Sequence, residues 1–277
     1  MTATLRFVKH HALTAYAVLA FAYLLVPIAV VILFSFNNPK GRFNYTWQGF
    51  TLDNWVHWDA VPGLRNAIGV SLEVAALTSI AATALGTLIA TALGTLIALA
   101  LVRYGFRGRG TTNMMIFLPM SSPEIVLGAS LLTLFLSMSV PLGFGTILIA
   151  HVMFSISYVV VTVRARLIGF DRHLEEAAMD LGANEWATFR KVTLPLIAPA
   201  VLAAGLLVFA LSVDDFVITN FNAGTTVTFP LFVWGAARVG APPQVNVIGS
   251  AIFVAAVAVM VVNVILQTRR RPGVQPA

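Results

Sequence analysis

Apolar residues in this chain run on in long uninterrupted stretches; they neither alternate nor recur on one face. Ala12 to Phe36, about Asn66 to Val102, about Leu196 to Thr219 and about Val245 to Gln267 are such runs. The stretch from Met114 to Val163 divides at Ser137–Gly145, where Pro141 and two glycines read as a hairpin, and gives two more. An apolar run of about 20 residues is the length of a helix that crosses a bilayer core. The pattern therefore predicts an all-α, polytopic membrane protein with six transmembrane helices. The first run follows Arg6 and Lys9, as a signal peptide would. It is longer than the roughly 7–15 apolar residues of a signal and continues through Pro27, so it reads as an uncleaved span. Residues 37–65 carry Asn37, Asn38, Pro39, Asp53 and three tryptophans and read as an extramembrane loop.

Composition agrees: 58% of residues are hydrophobic and 10% are charged. Soluble domains carry about 25% charged residues, so lipid must be the solvent for most of this surface. The net charge of +6 raises the question of nucleic acid, and the positions of the charges answer it. Arg6, Lys9, Arg103, Arg107, Arg109, Arg164, Arg166, Arg172, Arg190, Lys191 and Arg269 to Arg271 fall on one side of a six-span layout, 13 of the 17 basic residues. The positive-inside bias then places both termini and the 164–195 loop in the cytoplasm, and no nucleic-acid partner is needed. No cysteine is present, which excludes disulfides and thiolate chemistry.

The 164–195 loop holds five of the eleven acids. Asp171 suits an N-cap, with Glu175 and Glu176 in the first turn of the helix that follows. Leu174, Ala177, Ala178 and Leu181 recur at helical spacing. Gly182 stands where a helix end takes a left-handed residue, and Asn184 can cap a second helix running toward Pro195. The expected result is a helix–Gly–helix elbow with a small apolar face, better suited to a protein groove than to lipid headgroups.

Glu176-Ala177-Ala178, Gly182 four residues on, then Val192-Thr193-Leu194-Pro195 resembles the EAA loop of ABC importer permeases, with Val192 where isoleucine is usual. RYGFRG, MSSPEIV, VVVTVRARLIGFD, AAMDLGA and LSVDDFV look closest to the spermidine/putrescine branch. The resemblance implies the type I importer transmembrane fold. It implies an N-terminal helix and outer loop (1–64), a five-helix core (65–267) containing the coupling loop, and a cytoplasmic tail (268–277), in a bacterial inner membrane. It further implies that Glu176, Ala177, Ala178, Gly182, Leu194 and Pro195 couple the chain to a separate ATPase. The partners would be a second permease, two ATPase subunits and an extracytoplasmic solute-binding protein. No cofactor is expected on this chain, with ATP and magnesium on the ATPase. The residues agree, because a P-loop needs a Gly-Lys pair and Lys9, Lys40 and Lys191 follow no such glycine pattern.

Glu73, Glu124, Asp214 and Asp215 lie inside expected spans, where an unpaired charge is costly and must face a cavity or a partner. Glu73 falls near an interface. Glu124 follows Pro119 and Pro123, and prolines at that spacing kink a helix. Glu124, Asp214 and Asp215 are the candidates for lining the path of a cationic solute, although neighbouring residues on a helix diverge by about 100°, so one of the two aspartates is expected to face it. Other readings of Asp214 are a helix cap or a pairing with a basic residue on a partner subunit. His151 reads as a packing or hydrogen-bonding residue. The loop 220–244 is aromatic and suits either docking of the binding protein or an interfacial belt. A different small solute, or a self-sufficient secondary transporter, are the rival functions; the second leaves the elbow without a purpose. ATALGTLI at 82–89 recurs unchanged at 90–97, with a small residue every fourth position from Ala82 to Ala98.

Overall fold

The computed structural model describes residues 3–103, 111, 114, 121–168, 171 and 173–269. They form α1 (Ala3–Ser35), α2 (Asp53–Val56), α3 (Leu64–Arg103), α4 (Glu124–Ser137), α5 (Phe144–Ile168), α6 (His173–Asp180) and α7 (Glu185–Thr188). A π-helical turn (Phe189–Thr193) leads into α8 (Leu194–Asp214), followed by α9 (Val217–Asn222), α10 (Phe229–Val239) and α11 (Pro243–Arg269). Helices close their own backbone hydrogen bonds, which is what a lipid solvent demands.

Among the described residues, five of the expected runs become helices long and apolar enough to cross a membrane, within Ala12–Ser35, Leu64–Ile89, Phe144–Leu167, Glu185–Asp214 and Pro243–Val262. In the expected third span α4 supplies a 14-residue helix; Thr111, Met114 and Ser121 are also helical, and 112–113 and 115–120 lie outside the described residues. The chain is non-helical at Ser122–Pro123, so Glu124 begins a helix instead of sitting inside a kinked one. Pro123 lacks an amide proton and cannot continue a helix from the preceding turn. The fifth run also differs: α8 stops at Asp214, and an extended Asp215 with ψ 118° separates it from α9.

The chain forms two compact units, residues 1–65 with 233–277, and residues 66–232. In the first, α1 packs beside α11, so the C-terminal helix belongs with the N-terminal one. The loop after α1 is tightly built. Fully buried Asn37 donates to Asn44 Oδ1 at 2.6 Å and to the Thr46 carbonyl at 2.7 Å, while Phe36 stacks on Phe50 and on Trp55.

In the second unit α5 lies along α8. Val159, Val160 and Val163 meet Ile197, Ala204 and Val208, with Ala82 of α3 against them. Apolar burial alone does little to hold helices together in lipid, so close backbone approach and interhelical hydrogen bonds matter more. A Cβ added at Gly86 would sit 2.5 Å from Val159 Cβ, and Ser79 Oγ donates to the Gly205 carbonyl at 2.7 Å. The first two residues of the small-residue stripe, Ala82 and Gly86, are thus used in packing. The α3 backbone continues without a break through both copies of the repeat, about 60 Å for 40 residues.

Candidate functional site

The elbow assembles from local signals. Asp171 Oδ1 accepts from the His173 amide at 3.1 Å and lies 2.7 Å from His173 Nδ1. That bond holds the Asp171 carboxyl below its ordinary value and pushes the His173 imidazole above its own. At the other end of α6 the Ala183 amide donates to the Ala178 carbonyl and the Gly182 amide to Met179, with Gly182 at φ +88°. This paired bonding closes a helix through a left-handed residue, and glycine adopts it without steric cost. Asn184 Oδ1 then accepts from the Ala187 amide at 2.8 Å and caps α7.

Glu176, Ala177 and Gly182 are exposed, and Ala178 is half-buried. Leu181 is 90% exposed and Trp186 67%, so the elbow carries apolar side chains that its own fold does not cover. Leu194 packs against the α5–α8 core, while Pro195 stands exposed in the first turn of α8. The hydroxyl of buried Thr193 donates to the Glu175 carboxylate, joining α6 to the base of α8.

The second cluster lies at the α8–α9 junction. His151 of α5 is 1% exposed; its Nδ1 is 2.7 Å from Ser212 Oγ, and its Nε2 is 3.1 Å from Asp215 Oδ2 and 2.9 Å from Thr219 Oγ1. Asp215 Oδ2 also accepts from the Thr219 amide and hydroxyl, each at 2.7 Å. Since the Thr219 hydroxyl donates to Asp215, it must accept from His151, which places a proton on Nε2. Asp215 is therefore occupied by internal partners, among them amides in the first turn of α9. Asp214, one residue earlier, is exposed at the C-terminal end of α8, where the helix dipole disfavours an anion. Glu124 is exposed in the first turn of α4, where the dipole favours it. A groove of about 610 Å³ between α3 and α8, bordered by Thr83, Thr87, Leu88 and Leu202, has no charged side chain in its lining. Among the described residues no three metal-ligating side chains come together.

The sequence profile of the binding-protein-dependent transport system inner membrane component family matches residues 90–271. The chain belongs to this family. It is a multi-pass transport subunit of the inner membrane, with the fold of ABC importer membrane components. The spermidine/putrescine transport system permease protein PotC of Haemophilus influenzae is 38% identical over 250 residues, covering 90% of this chain and 93% of its own length. The Escherichia coli K12 protein of the same name is 39% identical over 254 residues, 91% of this chain and 92% of the relative. The putrescine transport system permease protein PotI of that strain is 36% identical, over 84% of this chain and 83% of its own. Among solved structures, a chain of a bacterial ABC transporter involved in import of the acidic polysaccharide alginate superposes with a TM-score of 0.64 at 18% identity, covering 97% of this chain and 98% of that one.

The structure brings Glu176, Ala177, Ala178 and Gly182 onto one elbow and sets Leu194 and Pro195 at the start of the helix it feeds. It separates Asp214 from Asp215 by environment. Sequence reasoning set His151 aside as a packing or hydrogen-bonding residue and did not connect it with Asp215, Ser212 or Thr219. These partners lie 61 to 68 residues from it, with no local spacing to announce them. The Glu175–Thr193 bond, between residues 18 positions apart, likewise has no local spacing to announce it.

Proposed function

We propose that this permease moves polyamines inward as the membrane subunit of an ATP-driven importer. The observation that carries the solute class is the 38–39% identity to spermidine/putrescine permeases across nine-tenths of the chain. In this reading a solute-binding protein delivers the polycation on the outer side, and a second permease completes the pathway. Two ATPase subunits hold ATP and magnesium, and both termini of this chain face them in the cytoplasm. The exposed apolar elbow, with Glu176, Ala177, Ala178 and Gly182, seats in the ATPase. Closure of the ATPases displaces the elbow and, through Leu194 and Pro195, the base of α8.

A polyamine entering low dielectric loses hydration of several ammonium groups, and fixed carboxylates along the path offset that loss. Asp214 suits the task because it is exposed and held where its own helix does not favour it. Glu124 is a second candidate. Asp215 supports the path from behind, since its oxygens are already bonded.

The test is uptake of labelled spermidine by cells lacking their own polyamine importers and expressing the complete transporter. Saturable uptake, displaced by putrescine and not by amino acids, is the expected result. Transport displaced by amino acids or opines alone would assign another solute to the same machinery.

A further inference from the structure

His151 does more than fill space in α5. A membrane-embedded imidazole is costly, and an apolar side chain would pack there without that cost. All three of its described side-chain contacts reach the same short segment, and they straddle its break. Ser212 lies in the last turn of α8, Asp215 in the break itself and Thr219 in α9. The four side chains are each nine-tenths or more buried. Asp214 lies within this tied segment, yet it is the exposed member. Were the helix to continue through Asp215 and Phe216, the direction of the residue 214 side chain would no longer be fixed by a tether on either side.

We infer that His151 is a positioning residue for the solute path: by binding both sides of the α8–α9 break to α5, it turns Asp215 inward and leaves Asp214 as the carboxylate presented to a cationic solute. The inference rests on the proposed role of Asp214 and can fail independently of it.

The chain has no cysteine, so Asp214→Cys introduces a single thiol on this subunit. The purified complete transporter, built with partner subunits stripped of reactive cysteines, is treated with a cationic trimethylammonium methanethiosulfonate and the labelling rate is measured. Met138→Cys, at the exposed turn after α4, serves as the control position. With His151 present, the thiol at 214 should react at a rate comparable to that at 138. Adding His151→Leu should slow labelling at 214 by about tenfold as the segment redistributes among orientations, and His151→Gln, which keeps hydrogen-bonding groups, by less. Labelling at 138 should not change in either background, whereas general misfolding would alter both positions. If His151→Leu fails to assemble, His151→Gln and Ser212→Ala carry the same comparison. Unchanged labelling at 214 in the His151 variants that assemble overturns the positioning role while leaving Asp214 on the path. A thiol at 214 that does not react with His151 present, while 138 does, removes Asp214 from the path and the positioning role with it.

Discussion

The elbow and the α8–α9 junction sit at opposite ends of one helix, about 31 Å apart along the 21 residues of α8, and they are built in opposite ways. The caps of the elbow are sequence-local and lie at its surface: Asp171 to His173, Asn184 to Ala187 and Ala183 to Ala178. The junction uses bonds between residues more than sixty positions apart, with little exposure to solvent. The elbow keeps apolar side chains outside and closes its turns with local bonds, and Glu175–Thr193 ties it to the base of α8. The junction, with one acid exposed and its neighbour bonded inside, is tied to a neighbouring helix.

Substitutions can break each half of this contrast. The largest effect belongs to Asp215. Asp215→Ala leaves the hydrogen-bonding groups of His151 and Thr219 without their acceptor in the interior, and stranding a buried polar group costs about 1–3 kcal/mol. The expected outcome is a marked loss of assembled permease, read as yield and thermal stability in detergent. Asp214→Asn should leave both unchanged and lower uptake per molecule. If the two variants behave alike, the distinction drawn between the neighbours is wrong.

Next comes the elbow's turn. Nothing lies within 4 Å of a Cβ added at Gly182, so Gly182→Ala meets no clash and tests the φ of +88° alone. That conformation costs a residue with a Cβ about 1–2 kcal/mol. Gly182→Asp adds charge at the same place, and Glu176→Lys reverses the sign at the start of α6. All three should insert in the membrane. The charged pair should lose ATPase co-purification or coupled uptake, and Gly182→Ala should keep most of both. Full uptake by the charged variants would detach the elbow from coupling.

These contrasts also explain what was readable in advance. Five of the expected spans, the elbow and its Gly182 turn were legible because each is written in consecutive residues: apolar length, a capping side chain, a left-handed position. The α8–α9 break was not placed in advance, because the pair of aspartates in LSVDDFVIT sits inside an otherwise apolar run, and the partners of His151 at the break lie more than sixty residues from it. The helix start at Glu124 was half-legible: Pro119 and Pro123 announced a disturbance but not an end. The pairing of α1 with α11 left no local mark either, since two featureless apolar runs do not name their neighbours.

A smaller effect is expected at the Glu175–Thr193 bond. Thr193→Val removes the donor while keeping the shape, and a hydrogen bond to a charged group contributes about 1.5–3 kcal/mol, less where one partner stays partly wetted. The expected outcome is a modest rise in ATP hydrolysed per solute moved, absent in Thr193→Ser. If Thr193→Val is fully coupled, α6 does not drive α8 through this contact.

The smallest effect is electrostatic. Asp171 is held below its ordinary value, so its contribution is present above the unfolded carboxyl range and is lost as pH falls through the lowered one. His173 is raised, so its contribution is complete below the ordinary imidazole range and lost as pH rises through the raised one. Because both groups are fully exposed, Asp171→Asn should alter the pH profile of ATPase association only at these margins. A large loss near neutrality would mean that the pair bears on docking directly.

Reconstitution in proteoliposomes separates a coupled subunit from a self-sufficient carrier. Labelled spermidine uptake is measured for this chain with the second permease and binding protein proposed for it, first without and then with the ATPase subunits and ATP. The predicted result is no accumulation until both ATPase and ATP are present. Accumulation driven by an ion gradient in the absence of ATPase would contradict it.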